Sequence, residues 1–399
     1  MPLSRLKEHA EAVWEVPRDL VLGRYPEFVT GGPLPKGHVP VFCFHSLEPE
    51  VFGRKIAHLA ENGYVTLSAD QYFQHLMGGK PAPEKAVVLT FDDGRASVRT
   101  VGLPLMRRYG MKGIVFIVPG HTVSRPGPLP PTWDEVRQGQ ATAESVLGRE
   151  NADDAFLSWE EIADLSHSGL FEFQSHSLWH ARVHTTPQLA GFMTPDLRRG
   201  YGPLDVPLIH DGTRDLASAA IPLGTPLFRS EPRLSEATRF YEDPGVRQAC
   251  VARVAEEGEV FFDRRGWQRE LRQLVGKRHV TGHVEALASR EAAVRHELAQ
   301  ARLEIEARTG KQAIHLCYPW HVSGPTSRRI AYEVGYRTAF CGKVQGVPIT
   351  LAGGDPQQIA RVGEDFVELL PGKNRGNLTS ILRRKLARRL SSARAEVVG

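Results

Sequence analysis

Two places in this 399-residue chain combine residue types and spacing that could do chemistry. The first is Thr90-Phe91-Asp92-Asp93-Gly94, adjacent carboxylates at the end of the apolar run Ala86 to Phe91. Side chains alternate along a strand, so the two carboxylates must point differently. Gly94, having no Cβ, lets the chain turn sharply after them. One carboxylate can then bind a metal while its neighbour stays free as a base. The second place is His176-x-x-x-His180, where the spacing lets two imidazoles converge on one ion over a helical turn or a tight loop. Either pattern alone is common: Asp-Asp-Gly is also an ordinary surface turn, and histidines often sit at polar surfaces. Together, one Asp and two His make a metal triad with positions left open for water and substrate.

The elements that must position these residues alternate between strand and helix. Residues 38–44 predict a buried strand ending at His45, and 51–63 a helix stopped by Asn62-Gly63. The run 86–91 predicts a second strand, followed by a helix to Tyr109 and a third strand over 113–118. Ser158 and Glu161 form a capping-box pattern that starts a helix ending at His167, and residues 170–174 then lead as a strand into His176. A charged helix over 290–308, a strand over 313–318, a helix over 326–335 and a strand over 338–341 complete the series. This alternation argues for a parallel α/β architecture. In an α/β barrel the carboxyl ends of the strands converge on one face, which would bring the two loci together.

Composition bounds the class. A hydrophobic fraction of 41% and a charged fraction of 24% are ordinary for a globular protein and exclude a disordered or fibrous one. Cys43, Cys250, Cys317 and Cys341 lie far apart and form no CxxC pair, so neither a disulfide framework nor a thiolate zinc site is expected. Met1 to Arg18 has no apolar core of a signal peptide, and no run approaches the ~20 apolar residues of a membrane span. The expectation is a cytoplasmic protein. A net charge of +4 over this length is weak evidence for an anionic partner, and no nucleic-acid-binding motif accompanies the basic tail, so nucleic acid is not an expected partner.

The sequence resembles the NodB-type polysaccharide deacetylases, carbohydrate esterase family 4. Residues 90–94 match the family's first motif, and Ser175-His176-Ser177-Leu178-Trp179-His180 matches the second, (S/T)HxxxH. Pro40 to Ser46 resembles the opening strand of one branch, with Phe44 standing where that branch has tyrosine before the histidine. Leu157 to Gly169 and Glu304 to Trp320 resemble further family segments, so that about half the chain is covered.

The resemblance implies a distorted (β/α) barrel and hydrolysis of an N-acetyl group on an amino sugar. By motif position, Asp93, His176 and His180 would hold one divalent metal ion, with zinc expected and cobalt, nickel or iron as alternatives. Asp92 would be the general base and His45 the acid that protonates the leaving amine. Backbone amides around Tyr318, Pro319, Trp320 and His321 would contribute to the oxyanion hole. His321 replaces the usual glycine of that motif and is a rival acid.

The implied organisation is an N-terminal extension over 1–37, a barrel over 38–372 with insertions at about 121–156 and 185–285, and a basic amphipathic tail over 373–399. If the insertions cover the groove, a small N-acetylated sugar or a glycan precursor is the expected substrate rather than an extracellular polymer. In the tail, Leu378, Leu382, Leu386 and Leu390 form one helical stripe, expected to pack on the barrel or on a second copy in a homo-oligomer rather than on a membrane. Two other classes are weighed: a catalytically inactive glycan-binding relative, and an Asp-His-His non-haem iron enzyme.

Overall fold

The computed structural model describes residues 18–342, 348–385 and 387. The fold is α/β, a parallel sheet curled into a distorted barrel. Strands β1 (Val41–Phe44), β2 (Val65–Thr66), β3 (Ala86–Phe91), β4 (Gly113–Ile117) and β5 (Phe171–Ser175) precede the second insertion. That insertion carries β6 (Arg182–Phe192), β7 (Ile209–His210), β8 (Asp215–Leu216), β9 (Pro226–Pro232), β10 (Phe240–Glu242) and β11 (Gly282–Val284). The chain then returns to the barrel as β12 (His315–Cys317), β13 (Thr338–Phe340) and β14 (Val362–Gly363). The sheet order is β13-β12-β5-β4-β3-β1-β14, with β2 beside β3, and all of these pairings are parallel. One short segment crosses the seam: Ile359 bridges to Phe340 of β13, while Val362 and Gly363 pair with Phe42 and Cys43 of β1.

The alternation of side chains sets two apolar layers. Phe42, Phe44, Val87, Leu89, Phe91, Val115 and Ile117 face outward into the main core under the helices. Val41, Val88, Ile114, Phe116, Cys317, Phe340 and Ile359 form a second cluster on the opposite side of the sheet. Cys43, Thr90 and Asp92 share the inner face by the same period of two. The expected strands are therefore nearly continuous apolar runs, as in a sheet buried on both faces.

Most elements lie where the sequence places them. The helix Trp159–His167 starts on the Ser158–Glu161 capping box, with both reciprocal hydrogen bonds formed. The helix of residues 290–308 extends over Leu287–Thr309 and ends on Gly310 in the left-handed conformation. The second insertion is more regular than its sequence suggests. Its β6–β9 ribbon leads into two small cores of its own, one built on Phe192, Val246, Cys250, Phe261 and Leu271. Each short element there contributes too few apolar residues to show a period. At the other end of the chain, Ile381 is buried and Leu378 and Leu382 pack against the main core. Leu386 and Leu390 lie outside the described residues. Among the described residues no helix is long and apolar enough to cross a membrane.

Candidate active site

The two loci meet at the carboxyl ends of the strands. Asp92 and Asp93 follow β3, His176 follows β5, His45 follows β1, and Tyr318 to His321 follow β12. The inward phase of β3 carries Asp92 into the barrel. Asp93 then adopts φ 70° and Gly94 φ 67°, and this turn aims Asp93 elsewhere. A Cβ on Gly94 would also press on Ile117 Cγ2 at 3.1 Å. Five of the eight non-glycine residues with left-handed backbone among the described residues are Asp93, Ser177, His180, Trp320 and His321. Such conformations cost about 1–3 kcal/mol each and persist where surrounding structure imposes them.

Asp93, His176 and His180 are buried, and their ligand atoms lie within 4.8 Å of one another. Asp93 Oδ1 is 3.5 Å from His176 Nε2 and 3.7 Å from His180 Nε2. A tetrahedral centre with bonds of about 2.0–2.1 Å separates its donors by roughly 3.3–3.5 Å, so the three atoms are spaced to share one ion. His176 Nδ1 lies 2.8 Å from the Cys317 carbonyl oxygen. Donation there places the proton on Nδ1 and leaves Nε2 with its lone pair toward Asp93. Burial and the neighbouring His176 lower the pKa of His180 to about 3, so its ring is neutral, the ligating form. The residues fit a divalent ion, and a carboxylate with two imidazoles does not single out which.

Asp93 Oδ2 is committed to Arg95, whose Nε and Nη2 donate to it at 2.9 and 2.8 Å. Arg95 in turn donates to Ser46 Oγ and lies 3.7 Å from the Tyr201 ring, so the second insertion braces the carboxylate from outside. Glu297, on the helix Leu287–Thr309, accepts the Trp179 N–H at 2.8 Å and the Ser177 hydroxyl. Ser177 Oγ accepts the His180 N–H at 3.0 Å. Gly120 N–H donates to Leu178 O, and a Cβ there would stand 2.2 Å from the Trp179 ring. The His176–His180 loop is thus held on two sides.

Asp92 has a different environment. Arg361 Nη1 and Nη2 donate to its two oxygens at 2.7 Å each, and both side chains are buried. Burial pushes the carboxyl up, but Arg361, with His176 and His45, outweighs it and holds Asp92 well below the usual carboxylate range. The thiol of Cys43 lies 3.3 Å from Asp92 Oδ2. Two other groups, Cys43–His45–Asp92–His321 and Asp92–His176–Cys317, also bring ligand types together. Both use Asp92, whose oxygens Arg361 already occupies, so the Asp93 group is the better fit for a cation.

At the mouth, the rings of His45 and His321 stand 6.3 Å apart. His321 Nδ1 receives Arg361 Nη2 at 3.0 Å. Loss of solvation around its ring nitrogens and the adjacent guanidinium lower its pKa to about 3, although the residue's outer edge is exposed. Trp320 packs 4.8 Å from His180, with the Arg182 guanidinium over its ring at 4.9 Å. Of the four residues expected to supply oxyanion-hole amides, Pro319 has none, Tyr318 donates to Phe340 O, and His321 donates to Tyr318 O. Trp320 N–H is the remaining candidate. Arg95, Glu297 and Arg361 are site residues that sequence reasoning missed.

Residues 79–194 match the model of the polysaccharide deacetylase family. Over that stretch the chain is similar to the polysaccharide deacetylases. It is 31% identical over 152 residues to the poly-beta-1,6-N-acetyl-D-glucosamine N-deacetylase of Escherichia coli (strain K12), a match covering 38% of this chain. The chain spans about a fifth of that relative's length, 20%. Among solved structures it resembles a de-N-acetylase from Aggregatibacter actinomycetemcomitans, with TM-score 0.48, 15% identity, and coverage of 82% of this chain and 94% of that one. It also resembles the deacetylase domain of BpsB from Bordetella bronchiseptica, with TM-score 0.47, 18% identity, and coverage of 83% and 97%.

Proposed function

We propose that this chain is a metal-dependent hydrolase that removes the N-acetyl group from an amino sugar of a polysaccharide. One observation carries the reading. Two consecutive carboxylates are given opposite tasks, Asp93 facing two imidazoles and Asp92 held ionised by Arg361 in the same buried site. Asp93, His176 and His180 would hold a divalent ion, which when bound would polarise the amide carbonyl and acidify water. Asp92 stays an anion and accepts the proton of the attacking water on a lone pair that Arg361 leaves open. Arg361 fixes the direction of that carboxylate and prevents it from swinging toward the imidazoles. Trp320 N–H would donate to the developing oxyanion.

His45 is the better placed acid for the leaving amine. It is half-buried at the mouth, whereas the Nδ1 of His321 accepts from Arg361 and its ring is neutral. An inactive glycan-binding relative would lack one of these residues, and the presence of Asp92, Asp93, His176, His180 and His45 in the sequence supports the enzyme reading. The family match and the relative's polymeric substrate favour an N-acetylated polysaccharide over a small free sugar. The test is acetate release by the metal-loaded protein from a panel of N-acetyl sugars and their polymers. No release from any of them, with metal bound, would overturn the reading.

A further inference from the structure

The amino-terminal end of the barrel, away from Asp93 and His176, holds a cavity of about 650 Å³. Its walls are the segment that enters β1, the loop that enters β3, Tyr64 ahead of β2, and the chain around Pro371 and Arg375 after β14. In parallel α/β barrels catalysis is carried at the carboxyl ends of the strands, so this cavity lies outside the site already described. Its volume is in the range of small-molecule sites.

The floor is buried and leaves one polar atom unanswered. It is formed by His38, Val39, Tyr64 and His75. Tyr64 Oη donates to Pro371 O at 2.9 Å. His75 Nδ1 accepts the Ala82 N–H at 3.0 Å, and its Nε2 donates to Gly37 O at 2.9 Å. His38 is 7% exposed, and its Nδ1 has no hydrogen-bond partner. Buried polar atoms are nearly always paired, so this one calls for an explanation. Burial lowers the His38 pKa to about 4, and the ring is neutral. Its Nδ1 then donates or accepts according to the tautomer, and a hydroxyl can answer either.

The rim is stiff and cationic. Pro33, Pro35, Pro81, Pro83 and Pro371 line it, and each ring fixes its own φ. Little of this wall must be ordered when a ligand enters, and a rigid flat ligand adds little ordering cost of its own. The charged residues are Lys36, Lys85, Arg375 and Glu84, three cations to one carboxylate. Lys85 Nζ donates to Asn62 O at 2.8 Å, and Arg375 donates to the carbonyls of Phe28, Gly31, Gly32 and Leu369. These partners are neutral and leave both charges in place. Such a rim favours an anionic group at the entrance, in contact with water, while the floor favours a neutral one.

We infer that this cavity is a second ligand site, for a hydroxylated aromatic carboxylate whose hydroxyl pairs with His38 and whose carboxylate lies at the rim beside Lys36. The inference does not rest on the deacetylase reading. Binding to the full chain is followed by the fluorescence of a naphthoate that carries a hydroxyl on its far ring. Its affinity should exceed that of plain naphthoate by roughly tenfold, the worth of one buried hydrogen bond. It should exceed that of neutral naphthol by about threefold, a margin that shrinks at high salt. His38→Phe should remove the first difference and leave plain naphthoate unchanged. Lys36→Glu, at an exposed position, should weaken both naphthoates and leave naphthol unchanged. If His38→Phe does not fold, the three ligands on the unsubstituted protein and Lys36→Glu carry the test. No binding, equal affinity for all three ligands, or affinities indifferent to both substitutions would overturn the inference. The last of these is the result expected of an aromatic acid held at the Asp93 site instead.

Discussion

Arg361 grips both carboxylate oxygens of Asp92 at 2.7 Å from the segment that closes the barrel seam, so the candidate base and the closure of the sheet are one structural feature. Removing either partner strands a buried charge. Asp92→Asn and Arg361→Met should each cost about 3–5 kcal/mol in denaturant unfolding. The double variant should cost clearly less than the sum, because the two share one interaction. In the metal-loaded enzyme Asp92→Asn should also lose roughly 10²–10⁴-fold in turnover while keeping its metal. Additive stability losses would show that the pair is not coupled as its geometry requires.

The metal assignment is tested by content rather than by activity. Asp93→Ala, His176→Ala and His180→Ala should each lower the bound divalent ion measured by elemental analysis after dialysis. His176→Ala/His180→Ala should hold none, because one carboxylate remains and Arg95 already engages it. Full occupancy of the double variant would place the ion elsewhere, most simply at the cluster that includes Cys43 and His45.

What the sequence made legible was whatever a local pattern records. Strands buried on both faces appear as apolar runs, so β3, β4 and β5 and the residues at their ends could be placed. The opposite aims of Asp92 and Asp93 follow from a period of two and a glycine. Arg361 could not be found this way, because its partner is 269 residues away and nothing near it in sequence marks it. Arg95 was within reach: an arginine two residues after the candidate ligand is a local signal, and its hydrogen bonds to Asp93 span only that distance. The second insertion was opaque for a different reason. Its small cores are assembled from single apolar residues on many short elements, which leave no periodic trace.

Glu297 should act on the metal without touching it. Its carboxylate holds Trp179 N–H and Ser177, and Ser177 holds His180, in a loop where Ser177 and His180 are both left-handed. Glu297→Ala should weaken metal binding by about 10–100-fold, read by titration with Co²⁺, with the far-UV spectrum retained. Glu297→Gln keeps an acceptor for Trp179 N–H and should recover part of the affinity. Unchanged metal affinity in Glu297→Ala, or an equal loss in both variants, would count against a positioning role.

His45 and His321 can be told apart by their pH profiles. His45→Ala should cut turnover by roughly 10²–10⁴-fold and alter the alkaline limb of the profile, where a proton donor is lost. His321→Ala should leave that limb in place, since its ring is already neutral and its Nδ1 is occupied by Arg361. A His45→Ala enzyme near full activity beside an inactive His321→Ala would reverse the assignment.

Away from the site, His38 should make the fold sensitive to mild acid. It lies just before β1, is 7% exposed, packs its ring 6.3 Å from Phe28, and has a buried Nδ1 with no partner. Burial lowers its pKa to about 4. An unfolded chain would protonate the same ring near the ordinary value of about 6.5. Between these two values the unfolded state binds more protons, so stability is fully present above pH 6.5 and falls as the pH drops toward 4. Melting temperature should therefore decline across that window. His38→Phe, which keeps an aromatic ring beside Phe28 and removes the titrating group, should flatten the decline. An unaltered slope in His38→Phe would assign the acid sensitivity to other groups.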